Sequence, residues 1–112
     1  MEIHGPSMLP TLEPGDWALA VVRPIRAGDV VVVEHPHRTG FELVKRVTGV
    51  PGDTVSSGRV LGEGEYWIEG DAGVRSSDSR AFGPVRRRHV KGTIVCVWWP
   101  HGRRGRISGR IS

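Results

Sequence analysis

The sequence predicts a small all-β domain, an antiparallel sheet coiled into a partly closed barrel, and three observations lead there. Strand-sized apolar runs alternate with strong turn signals along most of the chain. Glycine (16) and proline (8) are too frequent among 112 residues for a helix bundle. No window of a dozen residues keeps a 3.6-residue apolar period, while Val, Ile, Trp, Tyr and Phe gather in the short runs, as pleated half-buried surfaces favour. Closing such a sheet removes edges that would otherwise pair with other chains.

The elements follow in order. Residues 17–22 (WALAVV) form the first strand after the turn Glu13-Pro14-Gly15-Asp16. Val30–Glu34 is the second, entered through Ala27-Gly28-Asp29. Residues 41–50 (FELVKRVTGV) are the longest strand and end at Pro51-Gly52-Asp53. Residues 54–61 suggest a short hairpin around Ser57-Gly58, residues 66–69 a strand ending at Gly70-Asp71, and residues 90–99 the closing strand before Pro100. The recurrent Gly-Asp pairs read as one turn chemistry used three times, with the aspartates as turn caps, because the flanking residues do not repeat. The domain is expected to span residues 1–100, with 101–112 as a basic, frayed tail.

The formal charge of +4 hides a division. Residues 1–85 hold all 12 acidic residues and eight basic ones, whereas residues 86–112 hold eight basic residues and no acid. Arg86, Arg87 and Arg88, with the arginines at 103, 104, 106 and 110, could meet an anionic membrane surface. They could also contact nucleic acid, with Trp98 and Trp99 stacking. That reading is weaker, since the aromatic residues are not interleaved with the basic ones and the body is acidic. A single cysteine, Cys96, excludes an intrachain disulfide and multi-cysteine metal sites, and its alternation within Ile94-Val95-Cys96-Val97 predicts a buried small hydrophobe. His35 and His37 lack a carboxylate at ligand spacing, so neither a metal nor a cofactor is expected. No apolar run approaches the roughly 18–20 residues that cross a bilayer.

Two residues point to chemistry. Ser7 lies in His4-Gly5-Pro6-Ser7-Met8-Leu9-Pro10-Thr11, a segment restricted enough to hold a hydroxyl in place. Strand alternation puts Lys45 on one face with Phe41, Leu43 and Val47, and Glu42, Val44 and Arg46 on the other. An ammonium on an apolar face loses hydration, which lowers its pKa from about 10.4 toward the range of a general base. Taken singly, each has a plainer reading: a serine between prolines is usually a turn residue, and a strand lysine usually reaches solvent from an edge.

Four boxes in order carry a resemblance. They are Gly5-Pro6-Ser7-Met8-Leu9-Pro10-Thr11-Leu12 with Pro14-Gly15-Asp16, then Gly28-Asp29-Val30-Val31, then residues 45–53 (KRVTGVPGD), then residues 66–71 (YWIEGD) with 76–85 (SSDSRAFGPV). Over residues 4–99 the chain resembles the type I signal peptidases, serine–lysine endopeptidases whose catalytic core is a coiled antiparallel sheet. It is most similar to compact members, such as organellar inner-membrane peptidases and the maturation proteases of nickel superoxide dismutase, because about 12 residues between Asp53 and Tyr66 leave no room for an inserted domain.

The resemblance implies that Ser7 is the nucleophile and Lys45 the general base of an acyl-enzyme mechanism. Ser76 would orient the lysine amine, and Asp78 and Arg80 would pair to brace the loop beside the site. Gly5 stands where many relatives carry a serine, so the oxyanion would rest on backbone N–H groups, chiefly that of Ser7, with Gly5 and Pro6 shaping the segment. Met8 would line the pocket floor or simply pack in the core, and Arg46 would pin the outside of the strand. Ala72 replaces an asparagine common in relatives. The implied substrate is an extended signal or leader peptide with small residues one and three positions before the cut. Relatives carry an anchor before the first box, so the expected location is the membrane if an anchor lies upstream of this chain and otherwise the cytoplasm. A self-cleaving regulator built on a related barrel is disfavoured by the Ser76–Arg80 block.

Overall fold

The computed structural model describes Met8, Leu12, Gly15 and residues 17–72, 77–98 and 104–106. Its strands are β1 (Trp17–Val21), β2 (Val30–Glu34), β3 (Glu42–Gly49), β4 (Glu65–Glu69), β5 (Val85–Arg86), β6 (Val90–Trp98) and β7 (Arg104–Arg106). Between β4 and β6 the described residues include a short helix, α1 (Ser79–Phe82), β5 and a 3-10 turn (Arg87–His89). The strands pair antiparallel in the order β1-β6-β2-β3-β4-β5, with β7 also on β6. Among the described residues β1 and β5, the two ends of this path, do not pair with each other. The sheet is coiled but not fully closed.

The uninterrupted Val30–Val33 run has its reason in this layout. β2 lies mid-sheet and buries both faces, so strict polar alternation is unnecessary there. Val30 and Val32 pack with Met8, Leu12, Ala18 and Ile94, while Val31 and Val33 pack with Val47, Tyr66, Ile68 and Val85. The Gly-Asp turns behave as their sequence suggests. Gly15, Gly28 and Gly52 take φ of 91°, 91° and 93°, a region costly for residues with a Cβ. The Asp29 carboxylate accepts the N–H of Arg26 at 2.9 Å and the Asp53 carboxylate that of Val50 at 3.0 Å. Asp16 lies outside the described residues. The expected hairpin at residues 54–61 is a minimal one, joined by a single bridge between Thr54 and Val60.

Three features depart from the sequence expectations. The chain between Asp78 and His89 holds a four-residue helix, a two-residue strand and a 3-10 turn, all too short to show a period. Arg104–Arg106 is a strand on Cys96–Trp98, so part of the stretch expected to fray extends the sheet. Cys96 is only half-buried and not a core hydrophobe. The register between β1 and β6 shifts between Leu19 and Ala20, pairing Leu19 with Cys96 but Ala20 with Ile94. The extra residue, Val95, breaks the alternation that would have carried Cys96 onto the buried face of Ile94. The His35 ring packs against Phe82 at 4.7 Å and Phe41 at 6.1 Å between centroids.

Gly49 shows how tightly β3 and β4 approach. A Cβ there would lie 3.0 Å from both Leu61 Cδ1 and Trp67 Cβ. Gly49→Val is expected to destabilise the domain by about 1–3 kcal/mol through overpacking, read as a lower Tm by calorimetry. An unchanged Tm would show that the β3–β4 contact yields easily.

Candidate active site

Lys45 occupies the position the strand phase predicts. It lies on β3 directly opposite Val31, on the face it shares with Val47, and only 3% of it is exposed. Burial is the largest influence on its ammonium and pushes the pKa below the usual lysine value. The negative charge of Asp78 acts the other way and the positive charge of Arg80 adds to the lowering. The result is an amine that holds its proton less tightly than an exposed lysine does.

The loop that carries Asp78 and Arg80 acts electrostatically on Lys45, and the two side chains pair within it. Asp78, with no exposed surface, caps α1 by accepting the N–H of Arg80 at 3.0 Å. It also accepts from Gly70 N–H at 3.1 Å and pairs with the Arg80 guanidinium at 2.6 Å. Burial pushes the Asp78 carboxyl up, but the Arg80 guanidinium and the two backbone donors outweigh it and hold the pKa below its ordinary value. The bonds to Gly70, just past β4, and to Arg80, in α1, tie helix and strand into one unit. Ser79, not singled out by sequence, adds a buried bond by accepting the N–H of Ile68 at 2.9 Å.

On the other face, Arg46 is a clamp whose partners the sequence could not name. Its guanidinium makes two 2.8 Å bonds to the Asp71 carboxylate and donates to the carbonyl of Gly28 at 2.6 Å. The bidentate geometry fixes the turn before β2 and the turn after β4 against β3. Lys45 is thereby held between two anchored turns. The only advance signal was the Gly-Asp form of residues 70–71, shared with turns whose aspartates are caps.

The remaining predicted residues separate. Met8 is buried with Leu12, Ala18, Val30, Val32 and Ile94, in core packing. Ser7, Gly5, Pro6 and Ser76 lie outside the described residues. Among the described residues, no strand pairs with residues 42–44 of β3 on the side of β4, because β4 ends at Glu69 opposite Arg46. A strand edge therefore leads up to Lys45, and an extended peptide can add to such an edge.

The sheet and the lysine it buries are compatible with a small hydrolytic core, and sequence comparison defines the class. A family described as "Signal peptidase, peptidase S26" matches residues 1–61 and 55–99. The chain belongs to this family and is a signal peptidase I-like serine endopeptidase. It is 35% identical to mitochondrial inner membrane protease subunit 1 of Schizosaccharomyces pombe, over 87% of this chain and 71% of that protein. It is 38% identical to mitochondrial ATP-independent inner membrane protease subunit 1a of Arabidopsis thaliana, over 88% and 68% respectively. A third relative, mitochondrial inner membrane protease subunit 2 of Danio rerio, is 35% identical over 97% of this chain and 68% of its own length. Among the described residues no helix is long and apolar enough to cross a membrane.

Proposed function

We propose that this chain is a membrane-associated endopeptidase that cuts signal or leader peptides, with Ser7 as nucleophile and Lys45 as general base. The observation that carries this reading is the burial of Lys45 on an apolar strand face, which favours its neutral amine. In the first step the Ser7 Oγ attacks the scissile carbonyl carbon while its proton passes to Lys45 Nζ. The tetrahedral oxyanion is met by backbone N–H groups around Ser7, with Gly5 and Pro6 shaping the segment. The C–N bond then breaks, the departing amine takes the proton from Lys45, and an ester to Ser7 remains. Lys45 next accepts a proton from water as the water oxygen attacks the ester carbon; the C–Oγ bond then breaks, Lys45 returns the proton to Ser7 Oγ, and the carboxylic acid product leaves.

Ser76 would orient the amine by a hydroxyl contact, since a carboxylate there would favour the charged form. Asp78 and Arg80 would hold the loop, and Met8 would support the nucleophile segment from the core. The substrate would lie extended along residues 42–44, with small side chains one and three positions before the cut. Membrane association is supported by the inner-membrane relatives and by basic Arg86, Arg87, Arg88 and the arginines at 104 and 106. The nucleic-acid reading gains no observation in its favour.

Cleavage of an alanine-bearing leader peptide by the purified chain tests the proposal. Ser7→Ala is expected to abolish product and the acyl-enzyme trapped by acid quench. Turnover retained in Ser7→Ala would sink the nucleophile assignment.

A further inference from the structure

A groove with no part in this chemistry lies between the segment that follows β1 and the start of β6. It encloses about 530 Å³ and is lined by Val22, Arg23, Pro24, Ile25, Tyr66, Arg87, Val90, Lys91 and Gly92. Its lining holds three cationic side chains and no carboxylate. Two of the three are oriented from behind. Arg23 is held by the buried Asp29 at 3.2 Å, and Arg87 donates to the Tyr66 hydroxyl at 3.3 Å. Lys91 has Glu34 at 3.7 Å, too long for a tight bond, and stays 47% exposed. Arg26, Arg86 and Arg88 stand exposed nearby in sequence, extending the positive field.

The rest of the lining is apolar, and Val22 is 91% exposed. An outward-pointing valine beside oriented guanidinium groups suits a ligand with an anionic part and an apolar part. A free phosphate would use the cations and leave Val22, Pro24 and Ile25 wet. A single-stranded nucleic acid would stack on an exposed aromatic platform, and the lining's aromatic residue, Tyr66, is only 4% exposed; a duplex, like a free phosphate, would use the cations and leave the apolar lining wet.

We propose that this groove binds one anionic phospholipid, its phosphate between Arg23, Arg87 and Lys91 and its glycerol and first methylenes against Val22, Pro24, Ile25 and Val90. The inference rests on the membrane reading given above but not on the Ser7–Lys45 dyad. It assigns the lipid contact to a particular cleft and not to net charge alone.

Co-sedimentation of the whole chain with vesicles tests it, comparing pure phosphatidylcholine with phosphatidylcholine containing phosphatidylglycerol. The anionic vesicles are expected to bind and the neutral ones not. The pair Arg87→Gln/Lys91→Gln should weaken binding about 30-fold, at about fivefold per charge, and Val22→Ser should weaken it further. Arg104→Gln/Arg106→Gln removes the same charge elsewhere and should weaken it clearly less. Equal losses in the two charge pairs, binding to neutral vesicles, or full competition by millimolar inorganic phosphate would each overturn the lipid site. All substituted groove residues are exposed, so circular dichroism is expected to match wild type. Cleavage of a short soluble peptide should stay unchanged in the groove variants, which separates failure of this site from failure of the dyad.

Discussion

Replacing Lys45 by methionine is expected to lower kcat for leader-peptide cleavage by about 10³-fold, the scale of a lost general base, while Tm at pH 7 stays the same or rises. The two readouts separate a catalytic lysine from a structural one. Methionine keeps the length and apolar stem of the side chain, so packing against Val31 and Val47 should survive. The charge it removes is one the fold disfavours, because burial outweighs the attraction of Asp78 and lowers the pKa. The sign follows from proton linkage. With the folded pKa below the unfolded value of about 10.4, the unfolded state binds more protons and wild-type stability rises with pH between the two values. Below the depressed folded value the whole penalty is present, and Lys45→Met removes it. The kcat/KM of the wild type should therefore rise through an acid limb set by the lowered Lys45 pKa. Full activity in Lys45→Met, or a large fall in its Tm, would reject the role assigned to this residue.

The second large effect falls on Asp78. Asp78→Ala is expected to destabilise the domain by about 2–4 kcal/mol, lowering Tm by about 10 °C or more. The change leaves Gly70 N–H and Arg80 N–H without the acceptor they share and removes the cap of α1. The Arg80 guanidinium is 42% exposed and can turn to water, which keeps the ion-pair share of that loss small. Asp78→Asn retains an oxygen for the cap but not the charge, so its Tm should fall less. Without that charge the Lys45 pKa should drop further, moving the acid limb of the pH–rate profile to lower pH. An unmoved limb would show that Asp78 acts on the loop alone. The wild-type carboxyl is held below its ordinary pKa, so its stabilisation is complete above about 3.9 and is lost as pH falls through the folded value. That acid step should be missing from Asp78→Asn.

Much of the fold was legible because its strands are written in local patterns. Val30–Glu34 was read to the residue, and the other long strands to within one or two residues at each end. The Gly-Asp turns were readable for the same reason, since one residue needs positive φ and its neighbour caps the turn. Short elements such as α1 and β5 were not, because a two- or four-residue piece has no period and is held by partners far along the chain. Cys96 was misread on sound alternation, because the shift of register at Val95 belongs to the pairing of two strands and not to either one.

The candidate site divides along the same line. Alternation alone placed Lys45 among Leu43 and Val47, and the order of short boxes alone indicated the family. Only the tertiary structure decided that Asp78 and Arg80 stand close enough to bias the lysine, that Arg46 grips Asp71 and Gly28, and that Arg87 and Lys91 meet Val22 around one groove. The physical reason is range. Backbone geometry and strand periodicity act over a few residues and are carried by sequence, whereas the clamp of Arg46 on Asp71 and Gly28, the desolvated Lys45 amine and the cleft bring together groups distant in the chain, which packing alone arranges.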